Sequence, residues 1–131
     1  MSHKNFGMII FFLIVFSFSV SACAAKNDVP ARTVEMYYGA LVNKDESRLL
    51  NLTCADWEVS ALLEFDSFAN VSTELVDFEC QTVTEDNDNA KVQCSGFISA
   101  SYGEEIREFS LGDNVFNVIN EFGEWRMCGY E

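Results

Sequence analysis

Three hydrophobic patterns follow one another along the chain. The first has no period: FGMIIFFLIVFSFSV, residues 6 to 20, is uninterrupted apolar sequence. The second has the period of a helix. Val34, Tyr37, Tyr38, Leu41 and Val42 recur at helical spacing, with Asp28 placed to cap the helix and Pro30 tolerated in its first turn. NKDES interrupts, and Asp45 can cap a second helix carrying Leu49 and Leu52. After Cys54, the residues Trp57, Ala61, Phe65 and Phe68 make one apolar stripe of a third helix. Beyond Asn70 the period becomes two. ELVDFECQTV puts Val76, Phe78 and Cys80 on one face, EDNDN turns, and AKVQCSGFISASY answers with Val92, Cys94 and Ile98. IREFSLGDNVFNVI is long, with a bulge or break expected at Gly112–Asp113, and EWRMCGY closes after the turn NEFGEW. Helices first and strands afterwards predict an α+β fold, N-terminal helices packed on one face of a curved four-stranded antiparallel sheet.

The unpatterned run follows Lys4 and has about the length of a signal peptide, short of the roughly 20 apolar residues a spanning helix needs. It ends in VSAC, residues 20 to 23, which resembles the lipobox of bacterial lipoproteins: an aliphatic residue, two small ones and the cysteine that is acylated. The expected organisation is a lipoprotein signal peptide over residues 1–22, a lipidated Cys23 with its tether through residue 29, and one domain over residues 30–131. Ordinary cleavage at ACA or CAA, and a retained signal anchor, are the alternatives. The tether AAKNDV reaches about 20 Å when fully extended. It places the domain close to the membrane of the cell envelope, outside the cytoplasm, on the outer membrane where the organism has one. The acyl chains on Cys23, palmitate among them, make that membrane the first expected partner.

Four cysteines remain beyond the leader, an even set suited to an oxidising compartment and two disulfides. Zinc is the competing use, but no pair has the C-x-x-C spacing, and no metal is expected. Three pairings are possible. If residue 84 faces residue 90 across the EDNDN turn, then Cys80 faces Cys94, with Phe78 and Val92 as apolar neighbours on the same face. That leaves Cys54, at the start of the third helix, to Cys128 in the last strand.

Charge and histidine narrow the function. The chain carries 21 acidic against 8 basic residues, a net charge of −13, and such a surface repels nucleic acid. The sole histidine is His3, inside the leader, so the domain has none. Ser-His-Asp and Cys-His nucleophilic sites and histidine-ligated metal are thereby excluded. The segment EDNDN lacks the glycine that a calcium loop needs and reads as a hairpin turn.

PARTVEMYYGALVNKDESRLLNL, CADWE with LLEFDSF, and FNVINEFGEWRMCGY together resemble the nuclear-transport-factor-2-like superfamily, over nearly all of residues 30–131. These motifs are structural, and none is catalytic. The resemblance implies a cone-shaped domain, as in the many secreted or lipid-anchored bacterial members of unassigned role. A non-catalytic domain is the first expectation, without cofactor, binding an envelope protein partner or a small apolar ligand. Tyr37, Tyr38, Trp57 and Phe65 are the candidate ligand-binding residues inside the cone. The alternative is a small isomerase or dehydratase using a carboxylate and a tyrosine, with Tyr37 or Tyr38 beside Asp56 or Asp66. There the bland expectation is that one tyrosine packs in the core, its neighbour is exposed, and the acids are solvated.

Overall fold

The computed structural model describes residues 27–131. The expected signal peptide and Cys23 lie outside the described residues. Helix α1 runs Val29–Val42, α2 Glu46–Asn51 and α3 Glu58–Phe68, the last entered through a 3₁₀ turn at Ala55–Trp57. Both expected caps are present: Asp28 Oδ1 accepts from the Ala31 backbone N–H at 3.4 Å, and Asp45 Oδ1 from that of Arg48 at 3.1 Å. Among the described residues no helix is long and apolar enough to cross a membrane.

The strands are β1 Ser72–Asp86, β2 Asn89–Tyr102, β3 Glu105–Ser110, β4 Val115–Glu121 and β5 Glu124–Tyr130. Among the described residues five strands replace the expected four, because the long third segment divides around Gly112–Asp113. Its halves share one edge of β2: β3 pairs with residues 97–102 and β4 with residues 89–93. The sheet order is β1-β2-β4-β5, antiparallel throughout. Phe122 and Gly123, both at positive φ, form the tight turn between β4 and β5.

A bulge in β1 corrects the expected inward face. Asp77 sits at φ 49°, and the pairing with β2 shifts between Val76 and Glu79. Side chains alternate strictly along a strand, so one extra residue reverses their parity. Leu75, not Val76, therefore joins Phe78 and Cys80 against the core. On β2 the inward face is as expected, with Val92, Cys94 and Ile98 buried.

Both free sheet edges are occupied in part. The backbone N–H groups of Cys80 and Thr82 on β1 donate to Glu35 Oε1 at 3.0 Å and Asp28 Oδ2 at 2.9 Å, both carried by α1 or its cap. At the other edge the Met127 N–H donates to Leu52 O and the Cys54 N–H to Met127 O, so the chain after α2 lies parallel beside β5. Unpaired edge donors are an invitation to another strand, and these contacts remove several of them.

Two disulfides lock this arrangement. Cys54–Cys128 joins the helical layer to β5, and Cys80–Cys94 joins directly opposed residues of β1 and β2. The pairing is the expected one, although the register that suggested it is not. Thr84 faces Lys91 rather than residue 90, and a second irregularity between Thr82 and Thr84 brings Cys80 opposite Cys94.

Candidate functional site: a groove beside the first helix

Two places carry chemistry: the aromatic interior and a groove on its flank. In the interior, Tyr37, Tyr38 and Phe116 are each 1% exposed or less. Tyr38 packs edge-to-face on Phe116 at 5.5 Å and on Phe78 at 5.8 Å between ring centres. Both tyrosines are buried, against the expectation of one buried and one exposed. Helix α1 is flanked by the sheet and by α3, so two adjacent helical positions both face packed layers. Phe65 is buried with them, and Trp57 is half-buried against the Tyr130 ring at 5.5 Å. The four candidate ligand-binding aromatics thus belong to the packed interior and its border.

The Tyr37 hydroxyl donates to Glu64 Oε2 at 2.7 Å. Asp56 and Asp66, the carboxylates expected beside such a tyrosine, are both exposed. Glu64 was missed, and its signal was available: it falls between Ala61 and Phe68 on the apolar stripe of α3, where a carboxylate is out of place. Burial holds the Glu64 carboxyl above its ordinary value, against the lowering effect of the Tyr37 hydrogen bond. Burial, then the neighbouring Glu64, drives the Tyr37 phenol far up, so it stays a donor at any physiological pH. The buried Trp57 Nε1 lies near this hydroxyl and has no hydrogen-bond partner among the described residues.

The pair sets two linked expectations. Tyr37→Phe leaves a largely desolvated carboxylate without its donor and should cost about 2 kcal/mol. Because the folded pKa of Glu64 is raised, the native state holds this proton more tightly than the unfolded chain. Its contribution is full below about pH 4.5, the unfolded value, and is lost as pH rises through the folded value. Glu64→Gln should therefore gain on the wild type above pH 4.5, and urea melts of both across pH 4 to 8 measure the difference. Parallel curves would show that Glu64 titrates as a solvated acid.

The groove, of about 880 Å³, lies between α1 and the β1–β2 pair. Its helical wall is the stripe Arg32, Glu35, Met36, Gly39 and Asn43, and the Cys80–Cys94 disulfide lines the opposite wall. Asp45 and Arg48 close the far end. The wall is polar, unlike the interior. An alanine Cβ built at Gly39 would meet no atom within 4 Å. A glycine inside a helix costs about 1 kcal/mol relative to alanine, and nothing in the fold requires one here. No local sequence pattern marks the groove, because its two walls come from different elements and its floor is a gap.

No protein family and no curated protein matches the chain. Among solved structures it is similar to a SEC-C motif containing protein from Rhodopseudomonas palustris, with TM-score 0.55 and 11% identity over 79% of this chain and 78% of that one. At that identity the likeness concerns the fold alone, an α+β domain with helices on a curled antiparallel sheet. The disulfides agree with an oxidising, extracytoplasmic compartment.

Proposed function

We propose that this chain is a non-catalytic, lipid-anchored extracytoplasmic domain that binds a partner in the groove beside α1, built on a cone of the nuclear-transport-factor-2-like kind. The observation carrying the reading is the open groove over Gly39, a helical glycine with no packing reason of its own. The close aromatic packing of the interior favours an occupant outside the cone over a small apolar ligand within it. The anchor rests on the VSAC segment after the apolar run.

Each half has its test. Cys23→Ala should move the protein from the membrane fraction to the soluble one, and full retention would sink the anchor. A photo-crosslinking residue at Asn43 in living cells should give discrete adducts, and the same residue at Asp66 on α3 should not. Adducts from both positions alike, or from neither, would remove the groove as the binding surface.

The Tyr37–Glu64 pair favours a second reading, a small isomerase or dehydratase working by carboxyl and phenol. Against it, the Tyr37 side chain is fully buried, and neither residue lines the groove.

A further inference from the structure

The edges on β1 and β5 are occupied in part, but the sheet has a third edge. β3 and β4 lie end to end along one side of β2, and β5 with Glu131 covers β4 only as far as Val115. Among the described residues no backbone group bonds the outer side of β3, and all six of its residues are exposed. Which of its groups are free follows from the ladder. In an antiparallel pair, the N–H and C=O groups of alternate residues face the partner. Gly103 at φ 67° opens the two-residue turn, so Tyr102 and Glu105 form the closing hydrogen-bonded pair. The Leu111 N–H, which donates to Gly96 O at 3.0 Å, keeps the same phase. Glu105, Arg107 and Phe109 therefore bond to β2, and the backbone groups of Ile106, Glu108 and Ser110 point outward. Donors and acceptors in a row at that spacing fit one kind of occupant, another strand.

The side chains say which strand. On the inner face Leu75, Ile98 and Phe109 make one row across β1, β2 and β3. Phe109 is 39% exposed although its ring meets Phe68 at 5.4 Å, so the row ends on an apolar side chain that a neighbour would cover. Ile106, 65% exposed, does the same on the outer face. There Glu74, Ser99 and Glu108 make another row, and neither glutamate has an ion pair among the described residues. Arg107 is already paired with Glu105, at 3.0 Å. The uncompensated charge along this edge is negative.

We propose that β3 receives an extended segment of a partner protein as an antiparallel strand, with a basic side chain beside Glu108 and apolar ones beside Ile106 and Phe109. Residues directly opposite in such a pair share a face, so each contact is made on the side where its β3 residue stands. A second copy of the chain is the poorer occupant. Each copy carries a net charge of −13, and two-fold pairing about the middle of β3 sets Arg107 against Arg107 or Glu108 against Glu108. The same net charge draws a basic segment in. No residue of β3 lines the groove beside α1, so this surface is separate from it and does not rest on it.

Three end-blocked hexapeptides Thr-Val-X-Thr-Val-Thr, with X as Lys, Gln or Glu, test it when titrated into the ¹⁵N-labelled full chain in detergent micelles. Laid antiparallel, they put X beside Glu108 and the two valines beside Phe109 and Ile106. The Lys peptide should shift the amides of Ile106, Glu108 and Ser110 and slow their exchange with deuterium, while Gly39 and Asn43 in the groove do not move. It should bind about threefold tighter than the Gln peptide and about tenfold tighter than the Glu peptide, the range for one cross-strand charge pair. Glu108→Lys should reverse that order. Ile106→Pro removes an outward N–H and no bond to β2, so the fold should stay and binding should be lost. Equal binding of the three peptides, or an unchanged order in Glu108→Lys, would overturn the basic partner. No protection of the three amides by any peptide at about 10 mM would overturn the edge itself. Slow exchange at Ile106 and Glu108 in the chain alone, growing with its concentration, would give the edge to a second copy instead.

Discussion

Replacing Cys54 and Cys128 together by alanine is expected to destabilise the domain by about 4 kcal/mol, the cost of releasing a long loop in the unfolded chain. The two residues are 74 apart in sequence, against 14 for Cys80 and Cys94, whose removal should cost about 3 kcal/mol on the same reasoning. The native geometry argues that the unfolded state dominates. Around Cys54 the backbone is already held to β5, because the Cys54 N–H donates to Met127 O and the Met127 N–H donates to Leu52 O, so the folded contact between the chain after α2 and β5 survives loss of the sulfurs. Cys54 is buried, and the truncation adds a small cavity in the same direction. Urea melts of the two double variants decide the matter. A loss for Cys54/Cys128 equal to or below that for Cys80/Cys94 would show that loop length is not what these bridges act through. Domains of this size have only some 5 to 15 kcal/mol in all, so the first variant should lose a quarter or more of its stability.

The parts of this fold that a reader can take from the sequence are those decided within a few residues. Asp28 and Asp45 announce their helices because a capping carboxylate must sit just before the first turn. The break at Gly112–Asp113 is legible because glycine and aspartate interrupt an alternating run. What fails is what the sheet decides as a whole. Nothing local marks Asp77 as the extra residue that exchanges Val76 for Leu75 on the inner face, since the alternation looks continuous through it. The disulfide pairing succeeded through a register wrong by one residue, because a second irregularity near Thr84 compensates for it. Glu64 had a visible signal, a carboxylate on an apolar stripe, that only the fold turned into a partner for Tyr37. Gly39 had almost none. In sequence it is a weak helix former among good ones, and its meaning appears only when α1 is seen facing the β1–β2 pair across open space.

Gly96→Ala should be the most damaging single change at a residue with no side chain to lose, at least about 3 kcal/mol. Gly96 sits at φ +89°, opposite the bulge that bends β1. An added Cβ would lie 2.4 Å from the Val76 carbonyl oxygen and 2.5 Å from that of Asp77, both backbone atoms that cannot rotate away. Moving Gly96 itself is equally blocked, because its own carbonyl accepts from the Leu111 N–H at 3.0 Å on the other side of β2. The left-handed conformation alone costs an L-residue about 1 to 2 kcal/mol, and the collision adds to it. Gly103 supplies the control. It too has positive φ, +67°, but a Cβ there meets nothing within 4 Å, so Gly103→Ala should cost only about 1 kcal/mol, the conformational part by itself. The pair therefore separates backbone preference from close approach. The damage at Gly96 should also spread, because the bend at Asp77 sets the inner face on which Leu75 and Phe78 meet the core. Melts of the two variants side by side give the answer: equal losses would mean that β1 can move off Gly96, and that the bulge does not fix the curvature of the sheet.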